Sequence, residues 1–181
     1  MKKYELTDDT ITVGGRILHR IKALKSFSDV EEGDLGGYVE KEDNLDHSGE
    51  AWVSGDARVY GNAWVYGDAR VYGNARVYGN ARVYGNAWVY GNARVSGEAW
   101  VSGDAMVSGE NDYAAAKGFG REYRTTTFFR LQDGGIGVRC GCFCGTLEEF
   151  REKVKETHKE SKMGKEYLML ADLMEYKFKN A

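Results

Sequence analysis

AWVSGDARVYGNAWVYGDARVYGNARVYGNARVYGNAWVYGNARVSGEAWVSGDAMVSGE, residues 51–110, repeats every six residues without an insertion. Each unit reads Ala-x-Val-[Tyr/Ser]-Gly-[Asn/Asp/Glu]. Within Ala-x-Val-Tyr the side chains alternate with period two, so Ala and Val point one way and x and Tyr the other. Val is the only sizeable apolar residue at a fixed position, which makes the Val side the core. The Gly-Asx pair supplies a corner where a positive φ costs least. One hexad is one short strand plus one turn. A single strand cannot hide its Val, whereas stacked coils bury a continuous column of them.

The hexad resembles the repeat of the left-handed parallel β-helix found in acyltransferases of the lipid A biosynthesis type. In that superfamily three hexads close one triangular coil. The resemblance implies a mainly β fold and homotrimers with parallel axes. Residues 18 apart then stack on one face about 4.8 Å apart. The first face carries Trp52, Arg70, Trp88 and Met106, the second Arg58, Arg76 and Arg94, the third Trp64, Arg82 and Trp100. All four Trp are predicted to point outward. Large outward aromatics mark interfaces. The expected subunit contact is therefore Trp52, Trp64, Trp88 and Trp100 with Tyr66, Tyr72, Tyr84 and Tyr90. His47 falls at the Val position of a degenerate hexad, Leu45 to Glu50, and is expected to cap the coil.

Three segments follow: an N-terminal β cap over 1–44, the solenoid over 45–110, and a C-terminal module over 111–181. TITVGGRILHRIKAL in the cap reads as a hairpin around Gly14-Gly15. In the C-terminal module, Thr125 to Leu131 and Ile136 to Phe143 read as strands. Thr146 opens a helix through a capping box, and a break near Met163-Gly164 precedes a second helix. The predicted module is ββαα.

Composition narrows function. Net charge is −3 over 181 residues, which argues against a general nucleic-acid binder. No apolar run approaches the ~20 residues of a membrane span. The three Cys lie within five residues and argue against a disulfide framework, so a cytoplasmic protein is expected. The C-terminal segment is the one in which bases outnumber acids. There Gly120, Arg121, Arg124, Thr125, Thr126 and Thr127 form a Gly-rich, basic, hydroxyl-rich stretch suited to phosphate. With the outward column Arg58, Arg76 and Arg94 they are the candidate ligand-binding residues. Cys140, Cys142 and Cys144 alternate along a predicted strand and could share a face. With His158 they make a weak Cys3His metal candidate, against the simpler reading of packed thiols. No cofactor pattern is present.

The whole chain also resembles a family of bacteriophage and prophage proteins, through HRIKAL, GDLGGYVEKEDNL, the hexads and TTTFF…VRCGCFCGTLEEF…VKETH…GKEYL. That resemblance implies a phage–host role. The expected function is a non-catalytic homotrimer that sequesters a small anionic ligand, a nucleotide, from a host defence system. One alternative is a structural or host-protein-binding trimer. A hexapeptide acyltransferase is the other, disfavoured because residues 51–110 contain no His to act as a base.

Overall fold

The computed structural model describes residues 2–180. Strands β1 (Tyr4–Val13) and β2 (Arg16–Ala23) form an antiparallel hairpin turned by Gly14-Gly15. Strand β3 (Leu35–Val39) pairs antiparallel with β2 and parallel with the first hexad of its sheet. Ten two-residue strands follow, one per hexad: β4 (Trp52–Val53), β5 (Arg58–Val59), β6 (Trp64–Val65), β7 (Arg70–Val71), β8 (Arg76–Val77), β9 (Arg82–Val83), β10 (Trp88–Val89), β11 (Arg94–Val95), β12 (Trp100–Val101) and β13 (Met106–Val107).

Every third strand pairs in parallel, giving the sheets β13-β10-β7-β4, β12-β9-β6 and β1-β2-β3-β5-β8-β11. These are the first, third and second faces. The chain is a β-solenoid of about four turns. All ten valines from Val53 to Val107 are fully buried. Burial contributes roughly 1.5–3 kcal/mol for each such side chain. Backbone donors run from rung to rung, as in Arg58 N–H to Ala75 O at 2.9 Å and Tyr60 N–H to Val77 O at 3.1 Å. The corners use Gly alone for the left-handed conformation. Gly85 has φ +69°, and a Cβ there would lie 3.0 Å from the Gly103 nitrogen. The following Asn and Asp instead link rungs, with Asn62 Nδ2 donating to Asn80 Oδ1 at 3.2 Å.

The first coil departs from the period. Leu45, not His47, takes the inward position, bridging to Val65 in parallel. Val39 pairs with Val59 and Tyr38 with Arg58, a separation of 20 rather than 18. Gly49 nevertheless stacks on Gly67. Two extra residues are therefore absorbed between Leu45 and Gly49. Leu wins the interior because it buries more apolar area than His and no polar atom. Parallel stacking on the coil also begins at Tyr38, ahead of residue 45.

The displaced His47 locks the cap. Its ring stacks on Tyr4 with centroids 4.4 Å apart, and its Nδ1 accepts the Lys3 N–H at 3.2 Å. Lys3 reaches inward, donating to Ala51 O at 2.7 Å, and burial brings its ammonium down to about 8. Burial also holds the His47 imidazole below its ordinary value, despite Glu42 at 3.8 Å. A folded-state pKa below the unfolded one makes the unfolded chain take up the proton first. The His47 contribution is thus full above about pH 6.5 and falls as the pH drops through that value, whereas that of Lys3 changes only above about pH 8. Thermal melts between pH 7.5 and 5.5 should show this loss, and His47→Gln should flatten it. Nearby Glu40, Glu42 and Asp46 are held below the ordinary carboxylate range, so they titrate outside this window.

The C-terminal module differs from the predicted ββαα. It is a four-stranded antiparallel sheet, β14 (Tyr113–Ala116), β15 (Thr126–Arg130), β16 (Ile136–Cys140) and β17 (Phe143–Thr146), followed by α1 (Leu147–His158) and α2 (Lys162–Lys179). The second predicted strand is two strands, because Gly141 takes φ +59° and turns the chain at Gly141-Cys142. The capping box at Thr146 and Glu149 is present. The helix break lies at Lys159–Ser161 instead of Met163-Gly164. Gly164 is inside α2, where a Cβ would sit 2.6 Å from Lys159 O.

This sheet closes the end of the solenoid. Phe129 joins the valine core, while Phe128 joins Val138, Phe150, Leu170 and Phe178 on the opposite side. Thr127 Oγ1 accepts the Trp100 N–H at 3.0 Å, and Gln132 N–H donates to Asp104 O at 3.0 Å. Among the described residues no helix is long and apolar enough to cross a membrane.

Candidate functional site

Docking of the module onto the third face leaves a cleft of about 430 Å³. Asn80, Arg82, Glu98 and Trp100 come from the solenoid, and Arg124, Thr125, Arg139 and Gly141 from the module. The repeat places Arg82 and Trp100 on adjacent rungs of one column. Arg139 leaves the outward side of β16, next in the chain to the inward Val138. Two guanidinium groups lie over the Trp100 ring, Arg82 Cζ at 4.7 Å from its centroid and Arg139 Cζ at 5.0 Å. Arg124 passes so close to Gly141 that a Cβ there would meet its Nη1 at 2.7 Å.

Three arginines thus share one cleft with one carboxylate, Glu98. That carboxylate is already engaged, accepting from Lys117 Nζ at 2.8 Å and from Thr125 Oγ1 at 2.9 Å. The Lys117 hydrogen bond, then that from Thr125, holds its carboxyl below the ordinary range. The Arg139 Nε is buried without a hydrogen-bond partner among the described residues. A buried, unpaired donor is costly, and gathered guanidinium groups repel. Planar forks of this kind match phosphate or carboxylate oxygens bidentately.

The predicted ligand residues separate. Arg124 and Thr125 line the cleft. Thr126 and Thr127 are buried and committed, Thr126 Oγ1 donating to Cys140 Sγ at 3.2 Å and Thr127 holding Trp100. Alternation along β15 aims one at the helices and the other at the solenoid, so neither is open to a ligand. Arg121 is exposed outside the lining. Gly120 answers a packing need. At φ +71° its Cβ would fall 2.0 Å from the Tyr167 Oη. Gly120→Ala should lower the unfolding midpoint, by the equivalent of about 1–3 kcal/mol, in a urea titration. The Arg58, Arg76 and Arg94 column lies on the second face, apart from this cleft.

The other predictions also divide. Cys140 pairs with Phe143 and Cys144 with Arg139, so Cys140 and Cys144 leave the sheet on opposite sides. Cys142 is exposed at the turn. His158 packs against Tyr167. The hairpin destroys the alternation that a single strand would have imposed, and among the described residues no three His, Cys, Asp or Glu are arranged to hold a metal. Trp52 is buried, packed edge-on against Tyr4 and Phe27, so it is lost to any subunit contact. Trp100 is half-buried beneath Arg82 and Arg139, while Trp64 and Trp88 stay exposed. The tyrosines stack along the rungs, Tyr66 on Tyr84 at 4.8 Å and Tyr72 on Tyr90 at 5.1 Å.

Arg82, Arg139, Asn80, Glu98 and Gly141 escaped prediction as a group. Arg82 and Arg139 each look ordinary in sequence, and only docking unites them. The outward phase of Arg139 against inward Val138 was the available signal.

Fold and cleft together define a β-solenoid repeat protein with a capped end. Residues 51–67, 69–85, 75–91 and 87–103 match the family model of the YdcK beta solenoid repeat. No curated protein matches the chain.

Proposed function

We propose that this chain is a non-catalytic binding protein that assembles as a homotrimer of left-handed hexapeptide solenoids and holds a small anionic ligand, a nucleotide, in the Arg82–Arg124–Arg139 cleft. The carrying observation is three guanidinium groups around one cleft whose single carboxylate is already engaged. A phosphate would supply the missing counter-charge and accept from several forks at once. No His or Cys side chain lines the cleft among the described residues, which supports binding over acyl transfer. In this reading the chain is a phage-type cytoplasmic protein that withdraws a signalling nucleotide from host defence.

A second reading, docking of a host protein, draws on one feature. Met169, Leu173 and Tyr176 form an exposed apolar stripe on α2.

Thermal unfolding in the presence of mono-, di- and cyclic nucleotides, coenzyme A and inorganic phosphate tests the proposal. Ligand at 100 times its Kd stabilises by about 2.7 kcal/mol. A nucleotide shift that Arg139→Ala removes is expected. No shift with any anion would sink the binding reading, and acetyl transfer from acetyl-coenzyme A would establish the enzyme instead.

A further inference from the structure

Two faces of the solenoid carry opposite charge, and over two rungs the acids and the arginines share one period. The second face presents Arg58, Arg76 and Arg94, one per rung, in register through β5, β8 and β11. Among the described residues no carboxylate pairs with Arg58 or Arg76, and Arg94 has only Glu110 at 3.9 Å. The first face bears a groove of about 670 Å³ beneath the loop that joins β2 to β3. Asp29, Asp34, Glu50 and Asp68 line it, with the exposed Trp88 and Leu35. Its one base, Arg70, is paired with Asp29. Asp34, Glu50 and Asp68 are left without a basic partner among the described residues.

Each surface therefore holds charge that its own chain does not neutralise. The Arg column and the Glu50–Asp68 corner are built on the same coil. Both advance by one strand spacing, about 4.8 Å, per rung. A second copy with a parallel axis brings Arg58 and Arg76 to Glu50 and Asp68 in register at two successive rungs, with Asn86 at the third, a match that an unrelated basic surface would make only by coincidence. Guanidinium groups also pack well over exposed Trp.

We infer that the second face of one copy docks into the first-face groove of the next, with Arg76 meeting Asp68 and the column covering Trp88. The contact uses different surfaces on the two copies. It is head-to-tail, and it ends in a ring when the rotation closes. For closure at three it rests on the trimer reading above. It leaves the third-face cleft open, so ligand binding and assembly fail separately.

Sedimentation velocity and native mass spectrometry of the full chain at 10 and 100 μM are the test. Wild type should be oligomeric, and raising NaCl from 0.1 to 0.5 M should weaken it, because exposed ion pairs are screened. Arg76→Glu and Asp68→Arg should each weaken association at least about 100-fold. The double variant R76E/D68R should recover it. Both positions are on the surface, and unchanged circular dichroism of each variant separates lost contact from lost fold. A wild-type monomer at 100 μM, single variants that stay oligomeric, or a double variant that stays monomeric would overturn the pairing. Nucleotide shifts measured on the same samples report the cleft independently. A monomeric Arg76→Glu chain that keeps its shift leaves that reading standing.

Discussion

Val77→Asp should leave the chain unfolded at 25 °C. Val77 lies on β8, between Val59 and Val95 of the neighbouring rungs, and is fully buried. The change loses roughly 1.5–3 kcal/mol of apolar burial. It also sets a carboxyl among valines and alanines, with no donor to meet it, at a cost of several kcal/mol more. A domain is stable by only about 5–15 kcal/mol. The adjacent Arg76→Ser, which points outward, should move stability by less than about 1 kcal/mol. Far-UV circular dichroism and urea titration distinguish the two. A Val77→Asp chain with a near-native midpoint would contradict an inward valine column.

The triple change Arg82→Ala, Arg124→Ala and Arg139→Ala should abolish nucleotide binding. A hydrogen bond to a charged group contributes about 1.5–3 kcal/mol. Removing three such partners should weaken Kd by about 1,000-fold or more, a factor of ten for each 1.4 kcal/mol. Stability should fall by about 1–2 kcal/mol, because Arg82 and Arg139 give up their stacking on Trp100, and unchanged circular dichroism separates lost binding from lost fold. Isothermal titration of wild type and variant gives the ratio. A loss below tenfold would place the ligand elsewhere.

The solenoid was readable because its cause is local. Six residues contain a strand, a corner and an inward valine, so face composition followed down to Trp52, Arg70, Trp88 and Met106 sharing one sheet. What failed depended on contacts distant in sequence. Trp52 points outward as read, yet Tyr4 and Phe27 cover it. Leu45 displaced His47 because interior burial outweighs strict periodicity. Thr126 and Thr127 have the chemistry of a phosphate loop, but a sheet packed on both sides consumes their hydroxyls. Two of the eight residues lining the cleft, Arg124 and Thr125, were visible as ligand candidates. Arg82 and Arg139 come together by docking a sheet onto a solenoid face, and although alternation along β16 gives the side Arg139 leaves, nothing in the chain announces that it meets Arg82.

The three-strand coil also sets a rule for how such a chain can lengthen or shorten. Neighbouring hexads are so alike that replication slippage in the coding sequence would add or drop residues in sixes, one hexad at a time. Removing eighteen residues from the middle shortens the prism by one storey and returns the end module to the same side. Removing six turns that module by a third of a revolution about the axis. Arg124 and Arg139 would then sit over a different wall, away from the column that holds Arg82. Only variants in whole storeys keep the cleft assembled, so repeat number is free to drift by threes while its remainder is fixed.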